Sequence, residues 1–375
     1  MPLRQALFKG PILGELLWKA TTELTDNTKQ ELRYSMKVKN EEGLKEWSKF
    51  WLKERLRSEK IWPFIQVAKS AFKLQLEGHI SSVQEFHSNI FSDALKRTRN
   101  PAVTKEDCQV KHFLSNLGGI DFVDEEIPTK SFAPFNPSAR MTSEPSLFQH
   151  STMAALYLCP INEQRAIQNL EPVCFILHCG EGVNVKSTIQ ELSVEEPMEE
   201  NEGEATRAQK PEEDVDDLTR NLILGFLDLL FICHGIYLKE NPALRLLYMI
   251  CHVGVSMSVS SNHFLYVDYE QNPIRDFFNS GLRVTVSTDD ALIFHKNRNA
   301  LTDEYSKVGL THRFSNIDIA ELKRNSVLIS THPLQQKQDW LGEDLANPSK
   351  TNLPLSRIPV RERIFTRALE RIYRN

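Results

Sequence analysis

Four short apolar runs in this sequence lead directly into side chains that can ligate a metal or move a proton. Val173-Cys-Phe-Ile-Leu177 runs into His178-Cys-Gly-Glu181, an imidazole and a carboxylate about one turn apart with a glycine between them. Leu230-Phe-Ile-Cys233 runs into His234-Gly235, and Val253-Gly-Val-Ser-Met257 into Ser258 to Asn262. Leu282-Arg-Val-Thr-Val-Ser287 runs into Thr288-Asp289-Asp290. Taken singly, each has an ordinary explanation. A histidine after a strand is more often a hydrogen-bonded core or loop residue. Asp289-Asp290 would suit a helix N-cap with a carboxylate in the first turn. The ordered set carries more weight, because it asks for a fold in which successive strand ends meet.

That fold is an α/β (β/α)8 barrel, whose C-terminal strand ends converge on one face. The apolar runs alternate with helical segments, which predicts βα units around a parallel sheet. Earlier strand candidates are Glu31–Val38, Ile61–Val67 and Ile120–Val123. Helical patterns cover 1–29, 41–58 and about 148–168, and no solenoid-period repeat is present. Residues 191–217, with Glu195-Glu-Pro-Met-Glu-Glu and Glu212-Glu-Asp-Val-Asp-Asp217, interrupt the pattern and predict a solvated acidic insertion. One barrel domain over 1–375 is therefore expected.

Composition narrows the function. A net charge of −5 with no long basic tract gives nucleic-acid binding no electrostatic support. A locally basic pocket for a small anion remains compatible with that balance. The six cysteines form no CxxC pair and predict buried free thiols in a reducing cytosol. No apolar run has the length of a membrane span, and no signal-peptide core follows Met1.

His178-Cys-Gly-Glu181, His234-Gly235, Ser261-Asn262 and Ser287-Thr-Asp-Asp290, in that order, resemble the adenosine/AMP deaminase branch of the amidohydrolase barrels. The resemblance to AMP deaminase is the nearer one. It takes in Met257-Ser258, Asn272-Pro273, Gly281-Leu282, Phe294-His295, Glu304-Tyr305-Ser306, Glu321-Leu322, Arg324 to Leu328 and Trp340-Leu341-Gly342. It reaches back more thinly through Gly119 to Glu125 and Glu31-Leu-Arg33.

The resemblance implies a zinc-dependent conversion of AMP to IMP and ammonia, in purine nucleotide metabolism, by a cytosolic homo-oligomer. His178 and Asp289 would ligate Zn2+. His234 would accept the proton of the attacking water or stabilise the charge formed. Glu181, protonated, would donate to purine N1, and Asp290 would hold the nucleophile in line. Glu181, Asp290, Ala291, Leu292 and Ile293 would line the substrate pocket.

The family's first barrel strand also carries a His-x-His that binds zinc, and the eleven histidines here include none. The chain is thus expected to resemble the C-terminal two-thirds of the catalytic domain, N-terminally truncated and lacking the first strand. The alternative is a catalytically inactive paralogue acting as an oligomer partner or nucleotide-binding protein. Nucleobase-editing zinc deaminases are excluded, because His-x-Glu and Pro-Cys-x-x-Cys are both missing.

Overall fold

The computed structural model describes residues 30–35, 42–53, 61–68, 81–123, 147–181, 217–228, 230–297, 299–342 and 345. Seven strands form one sheet: β1 (Gln30–Ser35), β2 (Ile61–Ala68), β3 (Gly119–Val123), β4 (Cys174–Cys179), β5 (Phe231–His234), β6 (Gly254–Met257) and β7 (Arg283–Val286). Their spatial order is their sequence order, and every pairing is parallel. Every strand candidate from the sequence is present, with ends moved by a few residues. The helices α1 (Glu42–Lys53), α2 (Val83–Arg99), α3 (Lys105–Ser115), α4 (Leu147–Ile167), α5 (Asp217–Asp228), α6 (Pro242–Ile250), α7 (Val259–Leu265) and α8 (Ile274–Ser280) lie between strands. After β7 come α9 (Ala291–Phe294), α10 (Ala300–Thr311), α11 (Asn316–Ile329) and α12 (Leu334–Leu341). The expected helix over 1–29 lies outside the described residues. So does the acidic segment, except for Asp217, which opens α5.

The sheet is curled. Neighbouring strands lie about 4.8 Å apart, so a flat sheet would separate β1 from β5 by roughly 19 Å. Instead the guanidinium of Arg33 on β1 sits 5.9 Å from the ring centre of Phe231 on β5 and 5.8 Å from that of Phe64 on β2. The two ends of the sheet also approach each other. Thr331, just past α11, donates through its backbone N–H and its hydroxyl to Glu31 Oε1 on β1, at 2.6 and 2.8 Å. α11 itself packs on β7, where Asn325 Nδ2 donates to the Val284 carbonyl at 3.0 Å. This is the architecture of a partial (β/α)8 barrel.

Side chains alternate in and out along each strand, as the period of two requires. Ile65, Val67, Ile120, Phe122, Leu177, Ile232, Val255 and Val284 are buried in the large outer core that also holds apolar residues of the helices. The other face points into the barrel. Phe64, Ile176, Phe231 and Cys233 form a small separate cluster there, closed by Ile329. Register places Gln66, Asp121 and Ile176 in one row and His178, Cys233, Ser256 and Thr285 in the next. The barrel is thus apolar at its floor and polar toward the C-terminal ends of the strands.

One sequence expectation needs adjustment. Among the six cysteines, all free, Cys179 and Cys233 are buried and Cys174 is half-buried, but Cys108, Cys159 and Cys251 are exposed. The exposed three lie on helices or at a helix end, where an apolar-looking run still presents one face to solvent. No helix among the described residues is long and apolar enough to cross a membrane.

The floor cluster tolerates no added volume. A Cβ at Gly254 would lie 2.7 Å from Ile329 Cγ2 and 2.9 Å from Phe231 Cβ. Gly254→Ala should therefore cost about 1–3 kcal/mol, read as a lowered urea midpoint; an unchanged midpoint would show that the floor is loosely packed.

Candidate active site

The carboxyl ends of β4, β5 and β7 leave the sheet through left-handed backbone. Gly180 has φ +69°, His234 φ +69°, Gly235 φ +61° and Asp289 φ +52°. This region is uncommon for side-chain-bearing residues, although His and Asp are among those enriched in it. At Gly180 a Cβ would also meet Leu222 Cδ2 at 2.7 Å, so glycine is required there twice over. The result is that His178, Glu181, His234 and Asp289 gather at one mouth of the barrel. His234 Nε2 lies 3.1 Å from Glu181 Oε2 and 3.9 Å from Asp289 Oδ2. The rings of His178 and His234 are 5.1 Å apart, centre to centre. His178, Glu181 and His234 are buried, and Asp289 is half-buried.

Each of these groups is oriented by a neighbour from another element. Asp121 on β3 accepts from His178 Nδ1 at 2.9 Å through Oδ1. Its other oxygen lies 3.0 Å from Arg33 Nε, an ion pair without the alignment of a hydrogen bond, and Gln66 Nε2 reaches the same oxygen at 3.5 Å. Burial works to raise the Asp121 carboxyl, but the His178 ring and the Arg33 guanidinium outweigh it and hold it below its ordinary value. Burial likewise opposes charge on His178, but Asp121 outweighs it and shifts that ring upward. On the opposite side, Ser261 donates to Asp289 Oδ2 at 2.5 Å, and Asn262 Nδ2 donates to His234 Nδ1 at 2.9 Å. Both come from the first turn of α7.

α7 is in turn braced. The buried Glu304 of α10 accepts from the Ser260 backbone N–H at 2.9 Å, and its other oxygen accepts from the Ser260 hydroxyl. Lys307 Nζ donates to Ser260 Oγ at 2.8 Å and lies 2.9 Å from Asp303, which also pairs with His295 Nδ1 at 2.8 Å. His295 ends α9, so this network ties the helix that follows the two aspartates to α7 and α10.

The remaining sequence candidates fall as follows. Asp290 is exposed and occupies the N-cap position of α9, yet its side chain makes no capping hydrogen bond. Ala291 is half-buried, and Ile293 is 66% exposed, so most of its side chain faces solvent. Leu292 belongs to α9, and its side chain lies outside the described residues. Sequence reasoning missed Asp121 and Arg33 as members of the site. The available signal was a charged residue at an inward position of a short apolar strand, repeated on β1 and β3.

One ligand atom from each of His178, His234 and Asp289 lies within 4.8 Å of the others. A tetrahedral divalent ion needs donors about 3.4 Å apart, so small side-chain movements would suit the set. His178 fits best: Asp121 engages its Nδ1, which leaves Nε2 as the ring atom able to ligate when the ring is neutral. A carboxylate that orients a ligating imidazole is a recurrent feature of metal sites.

The profile of the AMP deaminase family matches residues 4–194 and 188–375. The chain belongs to the AMP deaminase family. The two matched stretches meet where the acidic segment begins. A probable AMP deaminase of rice, Oryza sativa subsp. japonica, is 28% identical over 389 residues, covering 98% of this chain and 42% of the rice protein. The AMP deaminase of Saccharomyces cerevisiae is 28% identical over 384 residues, covering 96% of this chain and 42% of the yeast protein. The chain thus spans about two fifths of the length of the curated relatives it matches. Among solved structures, an amidohydrolase from Burkholderia ambifaria with bound zinc superposes with a TM-score of 0.50 at 12% identity, covering 89% of this chain and 74% of that one. At that identity the likeness is one of fold.

The buried couple is the test of this geometry. Removing Asp121 strands the Arg33 charge, so Asp121→Ala should destabilise the fold by about 3–5 kcal/mol. The double change Arg33→Met with Asp121→Leu should recover much of that loss. Chemical denaturation of the three proteins decides it: a single variant as stable as the parent would mean that Arg33 is solvated where it stands.

Proposed function

We propose that this protein carries out the hydrolytic deamination of AMP to IMP and ammonia, serving IMP salvage in purine nucleotide metabolism. The observation that carries this reading is the convergence of His178, Glu181, His234 and Asp289 at the strand ends of a chain belonging to the AMP deaminase family. His178 and Asp289 would hold Zn2+; the zinc-bound amidohydrolase of similar fold supports that choice of metal. When bound, zinc lowers the pKa of water and so supplies a nucleophile near neutral pH.

The chain's own residues do the rest. The water oxygen forms a bond to purine C6, while Glu181, holding a proton, gives it to ring N1. Addition of the oxygen makes C6 tetrahedral and pushes the C6–N1 π electrons onto N1, where the proton takes them up. The C6–N bond then breaks: one proton of the water leaves with the exocyclic nitrogen as ammonia, the other restores the proton of Glu181, and the 6-oxo purine remains. His234 faces both Glu181 and Asp289 and serves the attacking oxygen. Asp290, at the N-cap position of the helix that follows, would keep that oxygen in line. Ala291, Leu292 and Ile293 follow it at the pocket rim. A cytosolic homo-oligomer is part of the same reading.

One observation favours a second reading. The sequence contains no His-x-His, so two imidazole ligands of the family's zinc site have no counterpart in the 375 residues. This supports a catalytically inactive paralogue that pairs with a complete deaminase or binds nucleotide without chemistry.

The discriminating experiment is an ammonia-release assay on the native protein purified from its source cells, with its N-terminal peptides identified by mass spectrometry. AMP turnover is expected, together with a loss of about 10²–10⁴-fold in Glu181→Ala. The recombinant 375-residue chain on its own should show none, because its metal site is short of ligands. No ammonia from the native protein, or turnover that survives Glu181→Ala, would leave the inactive-partner reading standing.

A further inference from the structure

The two histidines of the site are held by opposite hydrogen-bond partners, and this separates their roles. Asp121 is an acceptor, so His178 Nδ1 carries a hydrogen, and in the neutral ring its Nε2 carries none. Around His234 the polarity runs the other way, and its origin can be traced to the backbone. The backbone N–H of Ile274 can only donate, and it donates to Asn272 Oδ1 at 3.1 Å. That fixes the Asn272 amide, whose Nδ2 then faces Asn262 Oδ1 at 3.4 Å. Asn262 is fixed in turn, and its Nδ2 donates to His234 Nδ1 at 2.9 Å. Both asparagines are buried, Asn262 completely.

A ring nitrogen that accepts has no hydrogen, so the ring hydrogen of His234 sits on Nε2. The groups facing Nε2 fit: Asp289 Oδ2 at 3.9 Å is an acceptor, and so is Glu181 Oε2 at 3.1 Å when the Glu181 proton sits on Oε1. An N–H there meets two acceptors, whereas a lone pair would face the lone pairs of Asp289.

We propose that Asn272 and Asn262 are positioning residues that lock His234 with its N–H directed into the site. His234 is then a hydrogen-bond donor to the attacking oxygen, and neither a third metal ligand nor the base that takes the water's proton. This rests on the proposed deamination for its chemical meaning: a fixed donor stabilises charge developing on oxygen without reorganising. The set of three donors thereby divides into two ligands, His178 and Asp289, and one donor.

The tautomer itself is measurable without substrate or metal. In ¹⁵N-histidine-labelled 375-residue chain, long-range ¹H–¹⁵N correlations distinguish Nδ1–H from Nε2–H rings, and a His234→Gln variant assigns the resonance. Nε2–H for His234 and Nδ1–H for His178 are expected. Asn272→Asp should invert His234 from a distance, because a carboxylate cannot donate to Asn262 and that amide must turn its oxygen toward Nδ1. Asn262→Asp places an acceptor there directly and should give the same inversion if the first variant fails to fold. Wild-type His234 with Nδ1–H, or variants that fold and keep Nε2–H, would overturn the proposal. In the native protein, Asn272→Asp should also lower kcat by about 10²-fold with little change in KM. An inert native protein that shows the expected tautomers would refute the deamination and leave the relay intact.

Discussion

A buried charge couple holds this structure in register. Arg33 on β1, Asp121 on β3 and His178 on β4 meet inside the barrel, where a lone charge would cost several kcal/mol. Each is tolerable only because the others are present, so the three strands cannot slide past one another without exposing one of them to an apolar wall. The rings of Phe64 and Phe231 against the Arg33 guanidinium extend the same constraint to β2 and β5. Five of the seven strands are thereby tied to one ionic contact just below the mouth.

Everything at the mouth is built on that base. Asp121 fixes the His178 ring through its Nδ1. Opposite, the first turn of α7 delivers Ser261 to Asp289 and Asn262 to His234. α7 can do this because the buried Glu304 and the Lys307–Asp303–His295 contacts anchor it to α10 and α9. The left-handed backbone at His234 and Asp289 is a local cost of about 1–2 kcal/mol each, accepted where the chain must turn a side chain back over the barrel. Strain of this kind persists only when surrounding contacts over-determine the position, and here both residues have such contacts.

The strands were legible in the sequence because each is a short apolar run closed by a polar residue, and parallel strands covered on both faces are uniformly apolar. His178, Glu181, His234 and Asp289 were legible as a set because they stand at those closures, and position along the chain is enough to say which residue ends a strand. What the sequence determined, then, was the parallel βα architecture, the order of the site groups and the missing His-x-His.

The tertiary structure alone decided how those groups are aimed. Asp121 and Arg33 read as isolated charges on strands 88 positions apart in the chain, and only the curl of the sheet makes them partners. Asn262 reads as a polar residue at a strand end and Asn272 as half of an Asn-Pro pair, and only the packing of α7 against the segment before α8 makes them a relay ending on His234. Likewise Cys108, Cys159 and Cys251 are exposed because each helix has an outer face. Hydrophobic period encodes which face of an element is buried, but a hydrogen-bond direction depends on atoms from three or more elements at once, and no local pattern records it.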